Sequence, residues 1–163
     1  MRTLRLITAV LVIGVFAGCG WSPSGTSPSE PDTCTPADGP GEQAVNAALG
    51  RLPRAHGALP WQETARGHTG DCRLYWVQAA PLPPTEDGLA QVLFFAGDRF
   101  VGTAAPEPRP YLTALRATDD AALVQFQWRQ GDDELCCPTG LATVRYTLDE
   151  HGELTALDPV PEG

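Results

Sequence analysis

The chain has 163 residues, 42% of them hydrophobic, and a formal charge of −9 from 11 basic and 20 acidic side chains. That is one domain of ordinary size with enough apolar matter for a core, and its acidic balance excludes a nucleic-acid binder, which needs a basic face. Its 17 Gly and 16 Pro are about twice the usual share and favour short elements and many turns over a helical bundle.

The first segment is an address. Arg2 and Arg5 precede an apolar run from Leu6 to Gly18. As a helix this run spans about 20 Å, short of the roughly 30 Å of a bilayer core. A basic start, a short apolar centre and small residues at the end describe an export signal peptide over residues 1–18. The end, Val15-Phe16-Ala17-Gly18-Cys19, resembles the bacterial lipobox, whose cysteine takes a diacylglyceryl thioether and becomes the new N-terminus. Phe16 stands where Leu is usual, and the competing reading is a plain secretory signal followed by an incidental Cys. Removing residues 1–18 takes away two arginines and no acid, so the mature chain is more acidic still. An anionic leaflet repels such a body. Membrane residence then falls to palmitate-type acyl chains on Cys19, each buried CH₂ contributing about 0.8 kcal/mol.

Residues 19–41 form the lipidated Cys and a Ser/Pro/Gly-rich tether with almost nothing to bury. From Gly20 to Thr33 its r.m.s. reach is about 20 Å, which keeps the folded part close to the membrane.

The globular part is residues 42–163. Val45, Ala48, Leu49 and Leu52 follow the helical period, with Asp38 or Gly39 placed to cap the start and Gly50 and Pro53 to end the helix. Residues 53–71 read as irregular, with Trp61 plugging the core edge. From Cys72 the period becomes two. Val92-Leu93-Phe94-Phe95 is a continuous apolar run, the mark of a strand covered on both faces. Gly97-Asp98 turns it into Arg99–Thr103. Further strands follow at Tyr111–Ala117, at Val124, Phe126 and Trp128, at Thr143–Leu148 and near Leu157. The stretches 80–88 and 104–110 are Pro-rich loops. Short gaps make sequential strands pair. The expected class is α+β, one N-terminal helix packed on a twisted antiparallel meander sheet of six to seven strands.

Four segments carry a family resemblance: CRLYWVQ at 72–78, QVLFFAGDRFVGTAAP at 91–106, VQFQW at 124–128 and PTGLATVRYTLD at 138–149. In this order, after a helix followed by a Trp, they resemble the LppP/LprE family of actinobacterial lipoproteins. The likeness covers most of residues 42–163. It implies an envelope lipoprotein of unassigned biochemical role and carries over no catalytic residue, cofactor or metal. The pair Cys136-Cys137 is not required by the family pattern.

Beyond Cys19 the cysteines are Cys34, Cys72, Cys136 and Cys137. In an exported domain they imply two disulfides. Chain layout favours Cys34–Cys72 with Cys136–Cys137, which staples the helix unit to the sheet. Adjacent residues hold their Cα atoms about 3.8 Å apart, below the roughly 4.4–6.8 Å of unstrained disulfides, which favours Cys72 pairing with one of the adjacent two. A thiol catalyst wants basic neighbours, and here Asp132, Asp133 and Glu134 would raise the thiol pKa instead.

Other chemistry is thin. With no Lys there is no Schiff base or phosphate-loop lysine. Ser22, Ser24, Ser27 and Ser29 are the serines, all near the N-terminus, so a Ser–His–Asp site has no nucleophile in the folded part. Asn46 is the only side chain for an asparagine-assisted site. His56, His68 and His151 lack zinc-ligand spacing. Asp119-Asp120 and the acidic run at 132–134 read as turns. Trp61, Trp76 and Trp128 suit a glycan or lipid groove, with core packing the simpler account of the latter two. The expected function is a non-catalytic binding module, lipid-anchored on the outer face of the cytoplasmic membrane, for an envelope protein, glycan or lipid. The alternative is an envelope hydrolase with a carboxylate-based site. Metabolic labelling with a palmitate analogue is expected to mark the natural chain and to vanish in Cys19→Ala. Label persisting in that variant would refute the anchor.

Overall fold

The computed structural model describes residues 33–35 and 37–162. Cys19, the signal segment and most of the tether lie outside the described residues. The described part is α+β: one helix and nine strands in two antiparallel sheets. Helix α1 (Glu42–Leu49) leads. The first sheet is the meander β1 (Trp61–His68), β2 (Tyr75–Pro81), β3 (Leu89–Ala96) and β4 (Arg99–Thr103), with the short β5 (Arg109–Pro110) beside β3. The second is the meander β6 (Thr113–Ala114), β7 (Ala122–Trp128), β8 (Gly140–Leu148) and β9 (Leu154–Ala156).

Central strands explain the layering. Successive side chains of a strand point to opposite faces. On β2 and β3, Tyr75, Val77, Ala79, Leu93 and Phe95 pack with Val45 and Ala48 of α1. The alternate set, Trp76, Ala90, Val92 and Phe94, packs with Val124, Phe126, Val144 and Tyr146 of the second sheet. The first sheet is therefore covered on both sides. The strands expected in sequence are present and pair in order, but they divide into two stacked sheets where one was expected. The unbroken apolar run at 92–95 has this cause: each face meets a different layer.

Polar groups link the layers where apolar contact ends. The Gln78 side-chain oxygen accepts from the Ala114 backbone N–H at 2.9 Å. The Tyr146 hydroxyl donates to the Ala104 carbonyl, and burial pushes that phenol well above its usual pKa. Gly70 and Asp71 N–H groups donate to the Thr118 and Asp119 carbonyls at 3.1 and 2.8 Å. Fully buried Gln91 donates to the Ala105 carbonyl and accepts from the Val92 N–H, so its burial leaves no polar atom stranded.

Several local expectations change, among them the stretch 104–110, read as a loop, which contains the short strand β5. Residues 61–68, read as irregular, form the edge strand β1. Its sequence WQETARGH has no apolar alternation because its flank faces solvent, and its ladder to β2 supplies the order. Charged side chains such as Glu63 and Arg66 suit an edge that must not pair with another chain. The strand expected over Tyr111–Ala117 is ordered as strand only at Thr113–Ala114, since Tyr111 takes a left-handed φ of 55° that breaks the extension. At the helix start, Gly41 is the N-cap and its N–H donates to the Asp98 carboxylate at 2.7 Å. The N-cap is thus Gly41 where Asp38 or Gly39 was expected, and the β3–β4 turn supplies the acceptor for its N–H.

Phe94 is fully buried between the sheets, whereas Phe100 on β4 is partly exposed. Phe94→Ala should therefore cost about 3–5 kcal/mol in urea unfolding. Phe100→Ala should cost clearly less, and equal costs would contradict the two-sided burial.

Candidate functional site

Strand β1 sits at the sheet edge, and α1 lies over the sheet face beside it. Between them runs a groove of joined hollows. At one end a cavity of about 350 Å³ is lined by Asn46, Leu49, Arg54, Pro60 and Trp61. The next, about 390 Å³, shares Asn46, Leu49 and Trp61 and adds Glu42, Glu63 and Arg66. A third, about 260 Å³, shares Arg66 and continues past Gly67, His68, Tyr75 and Trp76 to Cys34. The run follows β1 end to end, a strand that at about 3.3 Å per residue spans roughly 26 Å.

Local chemistry fixes each wall. Trp61 stands at the shared wall of the first two cavities, with its indole N–H donating to the Pro53 carbonyl at 2.8 Å. That bond fixes the ring at the wall they share. Arg66 stands between the second and third. Its Nε and Nη2 form a bidentate pair with Glu63, Nη2 at 2.7 Å from Oε2, and its Nη1 donates to the Pro40 carbonyl at 3.1 Å. The Glu63 hydrogen bonds raise the guanidinium pKa further, so the cation is permanent and tied in place. Gly67 lies opposite Trp76 on the paired strands, and the indole covers it so closely that a Cβ there would strike the ring. Trp76 is 9% exposed and its indole N–H has no acceptor among the described residues. A buried N–H left so costs roughly 1–3 kcal/mol.

The cysteines fall in two places. Cys34 bonds to Cys72 with Cα atoms 5.5 Å apart, at the Trp76 end of the groove. The bond spans 38 residues of chain and on the loop-entropy scale contributes about 4 kcal/mol. Cys136 bonds to its neighbour Cys137, with Cα atoms 3.8 Å apart, on the exposed connection between β7 and β8. The two pairs share no site.

The carboxylate clusters do not converge. The Asp133 carboxylate accepts from the Gln130 N–H and from the Thr139 N–H and hydroxyl, bonds that lower its pKa. Asp149 likewise accepts from the Glu153 and His151 N–H groups and is lowered. Asp38 is lowered by the Thr35 hydroxyl and N–H. Asp158 is held at about 2, first by its hydrogen bonds to the Arg145 guanidinium. These are turn and strap carboxylates kept ionised, the opposite of a general acid. Among the described residues no group of three or more His, Cys, Asp or Glu is placed to hold a metal. Another hollow of about 570 Å³ lies between loop 105–110 and residues 160–162. Four of its nine lining residues are proline, and its Arg109 is engaged by the Pro161 carbonyl and the Phe126 ring.

The LppP/LprE lipoprotein family matches residues 66–151, more than half of the sequence. The chain belongs to that family. It is 42% identical over 151 residues to the protein named "Putative lipoprotein LppP" in Mycobacterium tuberculosis (strain ATCC 25618 / H37Rv), and equally to its namesake in Mycobacterium bovis. The alignment covers 92% of this chain and 86% of each relative. No solved structure matches the chain. Membership in a lipoprotein family implies a membrane-associated place in the cell envelope. Among the described residues no helix is long and apolar enough to cross a membrane. The matched span starts at Arg66, so α1 and most of β1 precede it, and the groove joins the family core to the segment before it.

Asn46 and Trp61 are visible in sequence as the lone Asn and as an aromatic suited to a groove. Arg54, Glu63 and Arg66 are not, because nothing marks 61–68 as a strand. The Asp158–Arg145 pair closes the tail over β8 and gives a measurable acid dependence. The folded pKa of Asp158 lies below the roughly 3.9 of an unfolded Asp, so its stabilisation is complete above about pH 4 and is lost as pH falls towards 2. Asp158→Asn should be less stable at pH 7 and show a shallower loss between pH 4 and 2 in denaturant titrations. An unchanged slope would show that the pair contributes nothing.

Proposed function

We propose that this chain is a lipid-anchored envelope protein, fastened through Cys19 on the outer face of the cytoplasmic membrane, whose folded domain holds a wall glycan along the groove beside β1. The observation that carries this reading is the run of three hollows sharing Trp61, Asn46 and Arg66 as walls. An elongated site suits an extended polymer. An amide, an ion-paired carboxylate and guanidinium, and an aromatic ring suit a neutral ligand rich in hydroxyl and amide groups, since planar polar side chains fix orientation while aromatic carbon covers apolar faces. Anionic lipid is a poorer occupant for a body this acidic. The short tether read from the sequence suits a site within reach of the inner wall.

Detergent-solubilised full-length protein should give saturable tryptophan-fluorescence changes with soluble N-acetylhexosamine oligosaccharides. Trp61→Ala and Asn46→Ala should each weaken binding about tenfold, or about 1.4 kcal/mol, while retaining the wild-type circular dichroism. Failure of the wild type to bind, or wild-type affinity retained in both variants, would remove the groove as the site.

A further inference from the structure

We propose that Cys136–Cys137 is a reducible two-electron site, opened by a dithiol reductant at a redox poise that leaves Cys34–Cys72 closed. Two observations separate the pairs. Both Cys136 and Cys137 are exposed on the β7–β8 connection, whereas Cys34 and Cys72 are half-buried. Their spans differ as well: Cys34–Cys72 joins chain segments 38 residues apart that the fold holds at 5.5 Å, while Cys136–Cys137 joins neighbours whose Cα atoms are fixed at 3.8 Å. A fold that brings distant cysteines together favours their oxidised form as much as the bond favours the fold. An adjacent pair receives no such support, and its Cα spacing lies below the unstrained range.

The connection keeps its shape by other means. The Asp133 carboxylate bonds to Gln130 and Thr139, the Arg129 guanidinium donates to the Asp133 carbonyl at 2.7 and 2.9 Å, and the Tyr111 hydroxyl donates to the Leu135 carbonyl at 2.6 Å. Opening the bond therefore alters only the tip. A thiolate of the reductant attacks one sulfur, forming a mixed disulfide, and the other cysteine leaves and takes up a proton. The reductant's second thiol then displaces the first cysteine, which is also protonated. Two electrons pass to the protein, and the reductant departs as its own disulfide. Glu134, with its carboxylate 3.7 Å from the Cys136 sulfur, favours protonated thiols over thiolates. The opened pair is thus a poor nucleophile, not an exchange catalyst.

The test equilibrates detergent-solubilised full-length protein in graded dithiothreitol and glutathione buffers, traps thiols by alkylation and maps peptides by mass. The expected equilibrium constant for reduction is at least ten times larger at Cys136–Cys137 than at Cys34–Cys72, with the urea midpoint unchanged when the adjacent pair alone is open. Opening of Cys34–Cys72 at the same or a milder poise would overturn the proposal. So would alkylation of Cys136 and Cys137 before any reductant is added, a link from either to Cys34 or Cys72, or unfolding on opening of the adjacent pair.

Discussion

Burial of β2 and β3 on both faces organises this domain. Val77, Val92, Leu93, Phe94 and Phe95 are wholly removed from solvent. At about 25 cal/mol per Å² of apolar area, each large side chain so buried is a major share of a small domain's stability. A sheet with two apolar faces needs two covers. Helix α1 is one and the second sheet is the other. The order of elements follows from that demand, with the helix before the first meander and the other sheet after it. The polar links at Gln78 and Tyr146 then fix how the second sheet sits against the first.

The groove is a by-product of the same arrangement. Helix α1 is only eight residues long, so it covers the middle of the sheet and leaves the flank of β1 beyond its side. Glycine at position 67 lets the Trp76 indole lie flat across the strand pair, and Gly140 does the same for Trp128 on β7 and β8. The first of these pairings lines the hollow that reaches Cys34. Arg66 and Glu63 lock one another on the same strand, leaving a fixed polar wall where a free pair would move. The site depends on the core, since the strand that carries it is ordered only by pairing with β2.

The two disulfides act on different scales. Cys34–Cys72 ties the segment before α1 to the turn before β2, so it limits how far that segment can peel from the sheet. Cys136–Cys137 constrains two neighbouring residues at a solvent-exposed tip. One belongs to the architecture, and the other can change without touching it.

Hydrophobic periodicity in the sequence was sufficient to determine the helix stripe at Val45, Ala48 and Leu49, the doubly covered run at 92–95, and the inward positions Val144, Tyr146 and Leu148. These are local signals, set by which residues must leave water. The family likeness is likewise a property of residue order. The division into two sheets, the edge strand β1 and the groove beside it were decided only by tertiary structure. An edge strand gains its order from a neighbour's backbone and needs no apolar alternation of its own, so WQETARGH carries no mark of what it becomes. A groove exists only where a short helix and a sheet edge fail to meet, and no stretch of sequence records a distance between two elements that are built separately.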